Sequence, residues 1–194
     1  MNATTIGIDL AKNTFSACIG DAHGHFGKSQ TFTRTTLLSW LKRLPAGTVI
    51  AMEACGTAHF WGRTMQAMGL TPRLIAAEFV KPFRKSLRIK NDTRDAEAIL
   101  TALHAPGMRF VTVKTEAQQQ RLLHHRLREG WKQERTALIC RIRGLLAELG
   151  ILIDPGAGKA RRKLAELAGD PAYPADLRAS LQSVLDHLRA LDAR

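Results

Sequence analysis

Four carboxylates in this sequence have a type and spacing that suit metal-ion chemistry. Asp9 lies at the end of the first predicted strand, and Glu53 ends the fourth. Asp92 and Asp95 are spaced i and i+3 at the start of a predicted helix, so they share one face of it. Carboxylate oxygens are hard ligands that suit Mg²⁺ or Mn²⁺, and a pair of such ions polarises a phosphodiester. If the four groups meet, the sequence predicts a divalent-metal site for phosphodiester chemistry; taken singly, Asp92 is explained as an N-cap and Asp95 as a first-turn residue.

Basic side chains flank these carboxylates in the sequence. Those that immediately precede the second pair are Lys81, Arg84, Lys85, Arg88 and Lys90. A nucleic-acid backbone cleaved at the carboxylates needs its phosphates held nearby, so we expect this basic segment to contact nucleic acid. Lys12, which follows Asp9 in the next turn, is assigned to the same contact, with a plain surface lysine as the alternative.

The elements that must position these residues follow from the pattern of apolar residues. Short β-rich runs at residues 4–10, 14–19 and 28–33 predict an antiparallel meander. A helix at 35–44, a strand at 48–52, a helix at 58–68, a strand at 72–76 and a helix at 92–104 follow. This order is that of a ribonuclease H-like α/β fold, a mixed sheet with flanking helices. In such a sheet the first and fourth strands are neighbours, so Asp9 and Glu53 should stand side by side.

A long amphipathic helix is predicted after this α/β region, at residues 116–149, followed by helices at 159–168 and 175–193. Its apolar stripe consists of Leu123, Leu127, Trp131, Leu138, Ile142, Leu145 and Leu149. We interpret the stripe as a seam between subunits, by default of a dimer, with an ordinary packing face as the alternative. The other faces are basic, and Arg126 and Arg135 are expected to contact phosphates unless they are only a solvated surface.

Composition narrows the class of protein. The net charge is +12, while the hydrophobic fraction of 45% is ordinary for a folded chain. A polyanionic partner, and nucleic acid first, is therefore expected. The three cysteines are widely spaced and odd in number, which argues against a disulfide framework or a zinc site and favours a reducing cytoplasm. No apolar run reaches the length of a membrane span, so no membrane partner is expected.

Several motif blocks together resemble one known family. These blocks are 6–12 (IGIDLAK), 52–56 (MEACG), 80–83 (VKPF) and 90–97 (KNDTRDAE). Their order and spacing are similar to those of the insertion sequence 110-type DEDD transposases, which include the Piv DNA invertases. The similarity continues through 113–120, 123–129 and 135–150.

The resemblance implies a domain division and a set of roles. Residues 1–112 would form a RuvC-like domain whose Asp9, Glu53, Asp92 and Asp95 are the catalytic, Mg²⁺- or Mn²⁺-binding set. Residues 113–194 would form a helical coiled-coil region that joins subunits. Family members recombine DNA in the bacterial cytoplasm with a structured guide RNA and a serine nucleophile from a separate C-terminal domain. The P-G-I-G and S-G-G blocks of that domain are absent from these 194 residues, so strand exchange is expected to need it in addition.

Two other functions are compatible with the same residues. One is a stand-alone RuvC-like nuclease, in which metal-activated water hydrolyses DNA. The other is a non-catalytic module that binds nucleic acid and oligomerises. Metal-dependent nicking of DNA distinguishes the two.

Overall fold

The computed structural model describes residues 4–21, 26–27, 29–84 and 92–194, and for residues 92 and 93 only the backbone. The predicted positions Lys85, Arg88 and Lys90, and the side chain of Asp92, lie outside what is described. The chain divides into two compact units, Met1–Glu116 and Ala117–Arg194. No helix within the described ranges is long and apolar enough to cross a membrane.

The first unit is built on a mixed sheet of six strands. They are β1 (Thr5–Leu10), β2 (Thr14–Gly20), β3 (Gln30–Thr33), β4 (Val49–Glu53), β5 (Thr71–Ile75) and β6 (Phe110–Val111), in the order β3-β2-β1-β4-β5-β6. The first three form the antiparallel meander, β4 and β5 run parallel to β1, and β6 is antiparallel to β5. The predicted ribonuclease H-like mixed sheet with flanking helices is confirmed.

Helices cover both faces of the sheet. The helices α1 (Arg34–Leu41) and α2 (Ala58–Ala67) pack on the face that carries Ile6, Ile8 and Met52. On the other face, Ala51 and Ile75 pack with residues of α4 (Asp92–Leu103). Because side chains alternate along a strand, Asp9 and Glu53 belong to the face that α4 covers.

Gly7 allows α4 to approach β1 closely. A Cβ atom at this position would lie 2.4 Å from the carbonyl oxygen of Ala96 and 2.9 Å from the Cβ of Leu100. Such distances are far inside van der Waals contact, so any side chain here would displace the helix. The glycine two residues before Asp9 therefore sets the distance between the sheet and the helix that carries Asp95.

Three short elements of the first unit were not predicted. A turn of helix α3 (Ala77–Val80) and a 3₁₀ turn (Lys81–Phe83) follow β5, and β6 closes the sheet. The sequence indicated only a basic segment there, because elements of two to four residues are too short for a periodic pattern. The two turns place Arg84 next to the carboxyl ends of β4 and β5.

The second unit is a bundle of three helices, α5 (Glu116–Ala147), α6 (Ala157–Gly169) and α7 (Ala175–Asp192), close to their predicted ranges. Its core contains Ile139, Ile142 and Leu146 from α5, packed with leucines of α6 and α7. Asp192 accepts ion pairs from Arg135 (3.1 Å) and Arg161 (2.7 Å), which tie the three helices together.

The bundle uses only part of the apolar surface of α5. Four leucines of the predicted seam are exposed, by 43 to 61%: Leu123, Leu127, Leu145 and Leu149. The buried residues Ile139 and Leu146 lie three residues before and four residues after Ile142, whereas Leu145 and Leu149 lie three and seven residues after it, so the two sets form adjoining stripes. Coiled-coil pairing of this seam with another chain stays a prediction.

Candidate metal and nucleic-acid site

Asp9 and Glu53 lie side by side at the carboxyl ends of β1 and β4. The parallel register pairs Ile8 with Met52, and each carboxylate is the next residue of its strand. Adjacent strands are about 4.8 Å apart, so two like charges are held close together. Both side chains are half-buried, which makes a neighbouring cation more valuable to them than in open solvent.

Asp95 of α4 meets Glu53 through one guanidinium group. Arg84 places its Nη2 atom 2.6 Å from Glu53 Oε2 and its Nε atom 3.1 Å from Asp95 Oδ1. A single cationic group thus spans one carboxylate from the sheet and one from the helix. The sequence predicted a phosphate contact for Arg84 and did not indicate this bridge.

Asp92 begins α4, one helical turn before Asp95. Its backbone position keeps it at the end of the helix that faces the two strand carboxylates. The candidate set therefore comprises two neighbouring strand ends and the first turn of the helix packed across them.

Cys55 adds a thiol to this cluster. Burial raises the pKa of the Cys55 thiol above its ordinary value, and the negative charges of Glu53 and Asp9 raise it further. Cys55 is therefore within reach of the charges of both carboxylates. The sequence carried a signal for this neighbour, since Cys55 follows Glu53 within the MEACG block.

The donor set fits a hard divalent cation in its chemistry. Asp9, Glu53 and Asp95 offer carboxylate oxygens, the ligands that Mg²⁺ and Mn²⁺ prefer. Among the side chains that the structure describes, which exclude that of Asp92, no three ligand-type residues surround one position for an ion. Instead the Arg84 guanidinium lies between Glu53 and Asp95, so a metal ion would replace it there.

The other predicted nucleic-acid contacts fall into two groups. Lys12, Lys81 and Arg126 are exposed. Lys12 lies in the turn between β1 and β2, beside the carboxylates, and Lys81 lies in the 3₁₀ turn that leads to Arg84. Arg135, by contrast, is partly exposed and pairs with Asp192 of α7. Phosphate contact by these residues stays a prediction.

The loop after Glu53 contains a strained residue. Thr57 has a φ of 72° and is the described non-glycine residue with a left-handed backbone. A β-branched residue in this conformation costs about 1–3 kcal/mol and persists only where its surroundings fix it. The strain lies between Glu53 and the start of α2, beside the candidate site.

Comparison with known proteins decides the family. A family model described as a transposase, that of the insertion sequence 110 DEDD type, matches residues 6–151 and so includes all four carboxylates. This chain belongs to the insertion sequence 110-type DEDD transposase family.

Curated relatives of this DEDD transposase chain come from several bacteria. A probable family 20 transposase of Pseudomonas aeruginosa is 40% identical over 100% of this chain and 57% of its own length. The transposase for insertion sequence element IS1328 of Yersinia enterocolitica is 39% identical over 83% of this chain and 47% of its own length. The transposase for insertion sequence element IS1111A of Coxiella burnetii is 40% identical over 82% of this chain and 43% of its own length. The chain thus spans about half the length of the curated relatives it matches.

Proposed function

We propose that this chain is the metal-binding part of a DNA transposase, in which Asp9, Glu53, Asp92 and Asp95 hold Mg²⁺ or Mn²⁺ at the site of strand cleavage. The observations that support the proposal are the adjacency of Asp9 and Glu53 on neighbouring strands and the Arg84 guanidinium, which joins Glu53 to Asp95. Carboxylates brought together in this way need a cation to offset their repulsion.

The chain's own residues would position the DNA strand. The bound ion would polarise the scissile phosphodiester and stabilise charge on its oxygens. Lys12 and Lys81 are exposed close to the carboxylates, where they would hold the flanking phosphates. When the metal binds Glu53 and Asp95, Arg84 would leave both carboxylates and turn its guanidinium toward a phosphate of the DNA strand. Its ion pairs in the metal-free chain and its predicted phosphate contact are therefore compatible.

Full transposition would use more than this chain's site. The family resemblance supports a serine nucleophile from a separate domain and a structured guide RNA as partners. The relatives, which are about twice as long as the aligned region, have room for such a domain. The carboxylate site would then stabilise the charge that develops while the serine attacks.

Metal binding tests the proposal directly. Titration of the 194-residue chain with Mn²⁺, followed by electron paramagnetic resonance and calorimetry, should show carboxylate-dependent binding that is lost in Asp9→Asn and Glu53→Gln. Glu97→Gln is the matched control, because Glu97 is a half-buried carboxylate of α4 outside the candidate set. Unchanged Mn²⁺ affinity in both site variants would refute the assignment.

Cleavage assays separate the possible activities. Supercoiled DNA nicked with Mg²⁺ by the wild-type chain, and not by Asp9→Asn, would indicate hydrolysis with water as the nucleophile. Metal binding without nicking is the result expected for a transposase site that needs its serine partner.

We also propose a homodimer through the exposed leucines of α5. Leu145 of α5 is 61% exposed, and Leu149, in the turn just after the helix, is 59% exposed. Leu123 and Leu127 are exposed nearer the start of the helix. Light scattering should show a dimer that Leu145→Lys with Leu149→Lys converts to monomer. Leu152→Lys, at an 81% exposed position beyond the helix, is the control and should leave the dimer intact. A wild-type monomer at micromolar concentration would contradict the proposal.

A further inference from the structure

A cluster of three aromatic rings surrounds the guanidinium of Arg34. Its Cζ atom lies 5.4 Å from the ring centre of Trp61, 5.8 Å from that of Phe60 and 6.0 Å from that of Phe15. Trp61 and Phe15 are buried, whereas 47% of Phe60 is exposed. The cluster therefore presents one aromatic ring and one cationic plane to solvent, supported from beneath by two fixed rings.

This cluster lies at the same end of the sheet as the candidate metal site, where β1 ends and β2 begins. Phe15 pairs with Leu10 in the register of β1 and β2, next to the pair formed by Asp9 and Ser16. Phe60 is in the first turn of α2, the helix that follows Glu53 along the chain. The carboxylates lie on the face covered by α4, and the aromatic cluster lies on the opposite face. A DNA strand that crosses this end of the sheet would contact both the carboxylates and the aromatic cluster.

The position of Arg34 is not explained by the stability of its helix. Arg34 is the first residue of α1, where the helix dipole disfavours a positive charge, and the first turn contains no acidic residue. A capping box fixes this end of the helix: the Thr36 amide donates to the Thr33 hydroxyl, and the Thr33 amide donates to the Thr36 hydroxyl. The helix start thus holds a cation rigidly against the aromatic rings.

We propose that Phe60 and Arg34 form a stacking site for an unpaired DNA base that flanks the scissile phosphate. This inference rests on the proposed function, which puts a DNA strand at the carboxylate edge. An exposed aromatic ring stacks on the face of any base, and an arginine beside it attracts the adjoining phosphate. The site would hold an unpaired DNA strand without reading its base sequence.

Single-stranded DNA binding in the absence of metal tests the inference. The full chain would be titrated, in EDTA, into a fluorescein-labelled oligo-dT and into a duplex of equal length, and anisotropy recorded. Phe60→Ala should weaken oligo-dT binding about tenfold and duplex binding less than twofold, while Phe60→Trp should restore it. Arg34→Gln should also weaken oligo-dT binding.

Phe26→Ala is the matched control. Phe26 is exposed to a similar extent, 42%, but lies on the other face of the sheet, where it lines a cavity with Arg94, Glu97 and Thr101 of α4. Its removal should leave oligo-dT affinity unchanged. The proposal would be overturned if Phe26→Ala and Phe60→Ala weakened oligo-dT binding equally, or if Phe60→Ala weakened single-strand and duplex binding equally. It would also be overturned if Phe60→Ala weakened the binding of an oligo-U probe and not that of oligo-dT.

A second variant separates this inference from the proposed function. Asp9→Asn should abolish Mn²⁺ binding and retain the Phe60-dependent affinity for oligo-dT measured in EDTA. If Asp9→Asn leaves Mn²⁺ binding intact, the metal assignment fails while the stacking result stands. If Phe60→Ala leaves oligo-dT affinity intact while Asp9→Asn abolishes Mn²⁺ binding, the stacking site alone is refuted.

Discussion

Arg84 shows how one side chain can satisfy two carboxylates that belong to different elements. Glu53 ends a strand and Asp95 lies in the first turn of a helix, and the guanidinium contacts both. The sequence placed Arg84 in a basic segment near the carboxylates but could not indicate its partners, because the direction of a long side chain depends on the turn before it. That turn, formed by Lys81–Phe83, is too short to leave a pattern in the sequence.

Replacing Arg84 by alanine should tighten the binding of Mn²⁺. Arg84 is 38% exposed, so its ion pairs contribute only about 1 kcal/mol, and removing this competing cation should raise Mn²⁺ affinity about fivefold. Calorimetry provides the measurement. Arg94→Ala, at an exposed arginine of α4, is the control and should have little effect. Weaker Mn²⁺ binding in Arg84→Ala would mean that the arginine supports the metal site.

The Cys55 thiol offers a chemical measure of the carboxylate cluster. Burial and the charges of Glu53 and Asp9 raise the pKa of Cys55, so at pH 8 the reactive thiolate is scarcer than in an exposed cysteine. Glu53→Gln removes one of these charges, lowers the pKa and should therefore speed alkylation by iodoacetamide a few-fold. Mass spectrometry follows the rate, with the exposed Cys140 as an internal reference. An unchanged ratio of the two rates would show that Glu53 does not act on this thiol.

At the scale of elements, the strong patterns were predictive. The strands and helices from β1 to α2 and the long helix α5 appear close to their predicted ranges, because their apolar periodicity extends over many residues. The adjacency of Asp9 and Glu53 followed from that order of elements. The aromatic cluster around Arg34 did not, because it joins β2, α1 and α2 through contacts that no local spacing encodes.

Gly7 links the packing of α4 to the geometry of the site. Gly7→Ala should destabilise the first unit by about 2–3 kcal/mol, because the new methyl group would meet backbone rather than a mobile side chain. Urea unfolding measures the loss. Mn²⁺ affinity of the folded fraction should fall as well, since α4 carries Asp95 away from Glu53.

Gly130→Ala is the control for this substitution. A Cβ atom at Gly130 would have no neighbour within 4 Å, and the residue lies within α5. The exchange should therefore stabilise the helix by about 0.5–1 kcal/mol through its better helix propensity. If both alanine variants behave alike, close packing at Gly7 is not what positions α4.

At the scale of the whole molecule, the net charge of +12 would make the proposed binding to DNA depend on salt. Lys12→Gln with Lys81→Gln should make the slope of log affinity against log salt shallower by about one unit per lysine. Anisotropy on a duplex between 50 and 300 mM KCl, roughly the range over which counterion release is measured, gives the slope. Lys159→Gln is the control, because Lys159 pairs with Asp154 at 3.2 Å. An unchanged slope in the double variant would remove both lysines from the DNA contact.

The division of the carboxylates between sheet and helix also has a consequence for the newly made protein. Asp9 and Glu53 are synthesised well before Asp95, and they meet it only when α4 packs across the sheet at Gly7. A chain leaving the ribosome, at about 5–20 residues per second, therefore carries two unassembled carboxylates until α4 has emerged and docked. Any activity that needs Asp95 beside Glu53 would therefore begin only after α4 has docked on the sheet.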